Sequence, residues 1–263
     1  MVDIVLTIAG NEATGGAGAS ADLKTFQQLG VFGVQNLTCI VSFDANNNFD
    51  HIFVPVAPET ISDQMNAAFN TYDIETAKIG MLGTIPTIET VAKHLNGNPV
   101  KKLVVDPVLI CKGQEPGAAL DIDNTLKQHI VPLAYLITPN HFEAESLSGI
   151  TINNVEDMKE AAKKIVELGP KNVLVKGGVE IEGDKAIDVF YDGKEITVIE
   201  HDKVGNERVS GAGCTLAAAI TAELAKGVTP LDACKTAKEF VHTAIKNRVS
   251  SKAPFDAVWQ GGK

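Results

Sequence analysis

The chain has 263 residues, 44% hydrophobic and 21% charged, with a mean hydropathy of +0.06, which is the make-up of a folded globular protein and not of a disordered one. Its 33 acidic and 23 basic residues leave a formal charge of -10, which argues against nucleic acid or an anionic membrane as partner, because both demand clustered lysine and arginine. No apolar run approaches the roughly 20 residues needed to span a bilayer. Cys39, Cys111, Cys214 and Cys234 are scattered without a C-x-x-C pair, so neither a zinc site nor a disulfide framework is expected. The opening Met1-Val2-Asp3 lacks a basic region and leads into a strand, which makes the cytoplasm the expected location.

In chain order, residues 3–9 are an apolar run, 10–18 a glycine-rich turn and 19–29 a helical stretch. The turn is not G-x-G-x-x-G, and no acidic ribose partner follows it, so a dinucleotide fingerprint is not expected. Residues 36–43 read as a buried strand and 51–56 as a short one; the helical spacing over 58–72 puts Ile61, Met65, Ala68 and Phe69 on one face. A strand at 77–82, a helix at 85–96 and a strand at 102–107 follow, and 108–119 has loop character. Next come a helix at 121–129, a short strand at 134–138, a helix whose first turn suits Pro139, an amphipathic helix at 154–168 and a strand at 172–178. Residues 186–191 and 195–201 flank Asp192-Gly193, a strong hairpin signal. The last helices begin after the loop at 209–215 and at Pro230, the second running to Arg248. This alternation predicts an α/β protein with a mainly parallel sheet, helices on both faces and an antiparallel edge near the end. Without an internal repeat or a linker, a single domain over 1–263 is expected.

Ligands of such folds bind at the carboxyl ends of the strands. Those ends carry Asp106, the pair Asn140 and Glu143, Lys176, and Gly211-Ala212-Gly213-Cys214-Thr215. The last stretch reads as a glycine loop opening a helix, whose unpaired N–H groups make an anion hole and would lower the Cys214 thiol pKa. A tight turn before a buried helix, with Cys214 as a small core residue, is the bland alternative. Asp106 before Pro107 also fits a turn, Glu143 a helix start, and Lys176 a solvated strand end. Their occurrence together favours phosphoryl transfer, with carboxylates for Mg²⁺, a lysine for phosphates and a loop for developing charge.

Nearly the whole chain resembles the ribokinase-like superfamily, in its hydroxymethylpyrimidine and pyridoxal kinase branch. The resemblance runs through Leu6-Thr7-Ile8-Ala9-Gly10, Gly15-Gly16-Ala17-Gly18, Ala21-Asp22-Leu23-Lys24-Thr25-Phe26, Lys78-Ile79-Gly80-Met81-Leu82, Asp106-Pro107-Val108, Thr138-Pro139-Asn140, Val175-Lys176-Gly177-Gly178 and Gly211-Ala212-Gly213-Cys214-Thr215. It implies a three-layer fold with a small lid, ATP and Mg²⁺ as cofactors, and a small heteroaromatic substrate phosphorylated on a hydroxymethyl group, with a homodimer as the usual assembly. It places Asp106 and Glu143 at the metal, Lys176, Asn140 and Thr215 at the nucleotide, and Gly211, Ala212 and Gly213 in the anion hole. Cys214 stands where sugar kinases of the superfamily have an aspartate base; 108–117 would form the lid, carrying Cys111. Glu12, Gly18, Phe43, Gly80 and Val108 would line the substrate site.

Departures from the branch's usual pattern point to pyridoxal over hydroxymethylpyrimidine. Ser42-Phe43-Asp44-Ala45 replaces a stretch whose glutamine reads the aminopyrimidine, and Phe43 cannot make those hydrogen bonds. Gly211-Ala212-Gly213-Cys214 and Cys111-Lys112-Gly113 resemble the pyridoxal kinases of Gram-positive bacteria. Glu12 stands where aspartate is usual, and Val209-Ser210 where Thr-His is usual. Two thiols on two site loops also suggest a reversible hemithioacetal between Cys214 or Cys111 and the pyridoxal aldehyde, the other thiol serving in proton transfer.

Overall fold

The computed structural model describes residues 2–98, 100–109 and 116–262. Among them the strands are β1 (Ile4–Glu12), β2 (Phe32–Asp44), β3 (Asp50–Pro55), β4 (Thr76–Ile79), β5 (Lys102–Val105), β6 (Leu136–Ile137), β7 (Asn172–Lys176), β8 (Lys185–Tyr191) and β9 (Ile196–Asp202). The helices are α1 (Gly18–Gln28), α2 (Pro58–Thr71), α3 (Ile85–Gly97), α4 (Pro116–His129), α5 (His141–Ser148), α6 (Val155–Val166), α7 (Ala212–Ala225) and α8 (Pro230–Lys246). One sheet contains every strand, in the order β3-β2-β1-β4-β5-β6-β7-β8-β9. Pairing is parallel from β2 to β7; β3 at one edge and the β8–β9 hairpin at the other are antiparallel.

The central strands are apolar on both faces, so both must be covered. Alternate residues divide between two layers. Leu6, Ile8, Ala77, Ile79, Val105 and Val175 pack against α2 to α6. Val5, Val104, Leu136 and Leu174 pack against α1, α7 and α8. The expected three-layer α/β fold with a mainly parallel sheet is therefore present, and Asp192-Gly193 turns the expected hairpin.

Several boundaries differ from the sequence reading. β2 extends to both sides of 36–43 and is buried only in part, because it ends in the edge ribbon with β3, where Ile40, Ile52 and Val54 are exposed. Helix α4 begins at Pro116 instead of 121, since a proline costs nothing at the first helical position, where its missing N–H has no partner to lose. Pro139 lies before α5, not in its first turn: Asn140 is the N-cap, with its side chain accepting from the Glu143 N–H.

The outer helix α8 is tied to the sheet by a buried ion pair, Lys238 Nζ to Asp188 Oδ2 at 2.7 Å, while Asp188 Oδ1 accepts from the Gly177 N–H at 3.2 Å. Replacing Lys238 by methionine strands a buried carboxylate, and stability in urea unfolding is expected to fall by about 3–5 kcal/mol. The double variant Lys238→Met/Asp188→Asn, which removes both charges, should recover most of that loss.

Candidate active site

The parallel strands all point the same way, and their carboxyl ends gather the charged residues. β5 leads directly into Asp106, β6 leads through Thr138 to Asn140, and β7 ends at Lys176, bridged to Asn140. Lys176 Nζ lies 2.9 Å from Asp106 Oδ1, which also lies 3.4 Å from the Thr138 hydroxyl. At the head of α5 a reciprocal capping box holds Glu143: its Oε2 accepts from the Asn140 N–H at 2.7 Å, and Asn140 Oδ1 accepts from the Glu143 N–H at 3.0 Å. Lys176, Gly177, Ala212, Gly213, Val241 and His242 are among the residues lining an adjoining cavity of about 290 Å³.

Two glycines bring backbones together where a side chain has no room. Gly211 caps α7 with φ +81°, and a Cβ there would lie 1.9 Å from the Gly16 carbonyl oxygen. Gly18 opens α1 with φ +63°, and a Cβ there would lie 2.2 Å from the Gly10 carbonyl oxygen. The first of these contacts docks the first glycine turn onto the 209–215 loop, and the second closes that turn on β1, where Glu12 accepts from the Thr14 hydroxyl. A Cβ on Gly213 would sit 3.5 Å from Lys176 Nζ and 3.8 Å from Asp106 Oδ2, so the loop, the lysine and the carboxylate share one small space.

Burial dominates the electrostatics. It pushes the Glu143 carboxyl up to about 7, reinforced by Asp106 and opposed by Lys176 and by the N–H groups of Asn140 and Leu109. Burial alone would pull Lys176 down, but Asp106 and Glu143 more than reverse it, so the ammonium is held above its ordinary value. The expected lowering of Cys214 is overturned: burial pushes its thiol up to about 11, with Asp106 and Asp22 adding to the rise, and Lys78 and the Gly18 N–H opposing it. Sitting at a helix N-terminus does not outweigh desolvation and two nearby carboxylates.

The sequence-derived residues do not all meet in one place. Thr215 is fully buried, and its Oγ1 accepts from Gln260 Nε2 at 3.0 Å, so its side chain anchors α7 and does not face the cavity. Gly80 is buried under the β4 end, with Lys78 Nζ 3.1 Å from where its Cβ would be. Val108 is half-buried and turns back on Asp106 through its N–H at 2.8 Å. Phe43 lies on the β2–β3 ribbon, its ring centroid 5.0 Å from that of Phe255 and 4.9 Å from that of His51. Cys111 and most of the expected lid lie outside the described residues.

A family model described as phosphomethylpyrimidine kinase matches residues 12–258. The chain belongs to that family. Within the phosphomethylpyrimidine kinase family, it is 44% identical to a pyridoxine kinase of Bacillus subtilis over 92% of this chain and 89% of the relative. It is 39% identical to a hydroxymethylpyrimidine/phosphomethylpyrimidine kinase of the same organism, over 92% of this chain and 89% of that protein. An ADP complex of Bacillus subtilis pyridoxal kinase superimposes with a TM-score of 0.94 at 40% identity, covering all of this chain and 98% of the other.

Residues at the site that sequence reasoning passed over lie after α8. Ser210 and Ala257 are bridged, the Val258 N–H donates to the Ser210 carbonyl at 3.0 Å, and Phe255 completes the aromatic wall beside Phe43. The only signal in the sequence is Pro254-Phe255 followed by Trp259 in an otherwise irregular stretch.

Because the folded protein holds the Glu143 proton more tightly than the unfolded chain does, its stability falls as pH rises from the ordinary carboxylate value towards about 7. Glu143→Gln keeps an oxygen for the capping box and removes that penalty. In the metal-free protein it is expected to raise unfolding free energy by about 1–3 kcal/mol at pH 8 and by little below pH 5, read from urea titrations at both pH values.

Proposed function

We propose that the chain is a pyridoxal kinase, transferring the γ-phosphoryl group of ATP to the 5′-hydroxymethyl of pyridoxal and also of pyridoxine and pyridoxamine. The observation that carries the choice of substrate is the aromatic wall of Phe43, Phe255 and His51. It offers a face for a ring to stack on, and Phe43 lacks the hydrogen-bonding groups that an aminopyrimidine requires. The likeness to a pyridoxine kinase and a pyridoxal kinase supports the same reading, and hydroxymethylpyrimidine phosphorylation is the alternative suggested by the second curated relative.

Asp106, beside Lys176 and Gly213, and Glu143, at the head of α5, are hard oxygen donors of the kind that suits Mg²⁺. Mg²⁺ held by these two residues would supply neutralisation of phosphate charge. Lys176 adds a fixed positive charge beside Gly213, and the open N–H groups at the start of α7 face the transferred group. The substrate oxygen attacks the γ-phosphorus, the β–γ bridging P–O bond breaks and ADP leaves with its electrons. The hydroxyl proton passes to Cys214 Sγ when that group is a thiolate and leaves afterwards to water. With the ligand-free thiol near 11, the greater part of the acceleration falls to positioning and charge stabilisation, as a loose phosphoryl-transfer transition state permits. On this reading the enzyme works in the cytoplasm as a homodimer, a pairing supported by the exposed Ile40, Ile52 and Val54 on the β2–β3 ribbon.

ADP production measured side by side should give a kcat/KM for pyridoxal at least about tenfold above that for hydroxymethylpyrimidine; the reverse preference assigns the chain to the thiamine-type reaction. Cys214→Ala is expected to lower kcat by roughly 10²–10⁴-fold with KM for ATP little changed, and Cys214→Asp to restore part of it.

A further inference from the structure

After α8 the chain returns to the site. Val249 and Ala257 exchange both backbone hydrogen bonds, at 2.8 and 3.1 Å, and close the residues between them into a short loop. Ser251 Oγ braces that loop from inside by donating to the Phe255 carbonyl at 2.7 Å, and Arg248 Nε meets Asp256 Oδ2 at 3.1 Å across its neck. On its other side the segment pairs with Ser210, whose N–H donates to the Asp256 carbonyl at 2.9 Å and whose carbonyl accepts from the Val258 N–H at 3.0 Å. Gly211 is the next residue, so the segment is tied by its backbone to the start of the anion loop.

Gly16 fixes where this segment lies. A Cβ on that glycine would sit 3.0 Å from Ala257 Cβ, 3.3 Å from Glu12 Oε1 and 3.8 Å from Ser210 Oγ, so the first glycine turn, a carboxylate, the anion loop and the C-terminal segment meet at one place. Two residues before Ala257, Phe255 puts its ring centroid 5.0 Å from that of Phe43 and 6.5 Å from that of Phe49, edge to face with the latter. Phe49 has a φ of +57°, a region that a bulky residue enters only where its surroundings over-determine it, and such residues gather at ligand clamps. Phe255 is only half-buried after these contacts, so part of its surface is left for another group.

We propose that residues 249–258 form a strap that sets acceptor specificity: Phe255 is its contact with the acceptor ring, and the ion pair of Arg248 with Asp256 is the latch that positions it. The inference deepens the acceptor reading given above and rests on that reading for the heteroaromatic class of the ligand. One stretch of backbone then serves both reactants, because the segment that carries the aromatic ring also holds the residue before Gly211. A planar acceptor is gripped by its face at Phe255, which has no group to bond its polar edge; that edge is left to groups such as Glu12 at the foot of the strap.

Steady-state kinetics on the full-length protein separate a strap from a packing element. Pyridoxal and hydroxymethylpyrimidine are both assayed with the unaltered enzyme, and the variants are read with whichever is turned over faster, so a reversed preference changes the proposed function and leaves this test intact. Phe255→Ala is expected to raise the acceptor KM at least about tenfold with KM for ATP within about twofold. Phe255→Tyr, which keeps the ring, should restore the acceptor KM, whereas Phe255→Leu, which keeps only apolar bulk, should not; this pair decides the matter if Phe255→Ala does not fold. Arg248→Gln keeps Phe255 and opens the latch, and a rise of about threefold in the same KM is expected, reversed by Arg248→Lys. An unchanged acceptor KM in Phe255→Ala or Arg248→Gln, full recovery in Phe255→Leu, or equal rises in both KM values overturns the proposal and leaves the segment a packing element.

Discussion

Helix α7 has no solvent side. From Thr215 to Leu224 every residue is buried, and six of its fourteen positions are alanine. A helix of that kind cannot rotate or slide to hide a polar face, because it has none, and its small side chains let α1 and α8 approach closely. Its position is therefore fixed by packing along its whole length, and Gln260 pins its first turn through Thr215. What this rigidity delivers is at its end: open N–H groups, and Gly213 set beside Lys176 and Asp106. The close approach of Gly16 to Gly211 then locks the first glycine turn to the same rigid body.

Around that end the charges fall into two tiers. The upper tier, Asp106, Glu143 and Lys176, carries two carboxylates against one ammonium and leaves Glu143 pushed up to about 7. A divalent cation and a polyphosphate are the complement that such a set calls for: the cation relieves the two carboxylates, and the phosphates take Lys176 and the loop N–H groups. The lower tier, Asp22 and Lys78, is balanced within itself and closed to solvent. A tier that borders the cavity through Lys176 can exchange partners during turnover; a sealed one holds a constant field, and constancy is what a preorganised site requires of its deeper charges.

The sequence made the strand ends legible because an apolar run that stops at an acid, a lysine or a glycine marks both the strand and the direction of its open end. Asp106, Asn140 and Lys176 sit where that reading puts them. Boundaries were less legible where a cap competed with a helix former: Asn140 takes the N-cap through its side chain, and Pro139 stays outside. Lys78 was visible as a lysine in an apolar strand, which demands a buried partner, but no local pattern says that the partner is Asp22, fifty-six residues away. Phe255 and Ala257 follow the last helix in a stretch without periodicity, and their place beside Phe43 and Ser210 depends on how the chain end folds back over the first turn.

Cys214 shows most clearly how a local rule yields to its surroundings. A thiol at a helix N-terminus is stabilised as an anion by open N–H groups, an effect worth up to roughly 2 kcal/mol in partly buried geometry. Removal from water and the proximity of Asp106 and Asp22 act in the opposite sense and carry the thiol up to about 11 in spite of Lys78. The helix end and Lys78 are permanent, whereas the Asp106 carboxylate is the part of this balance that a bound cation would offset.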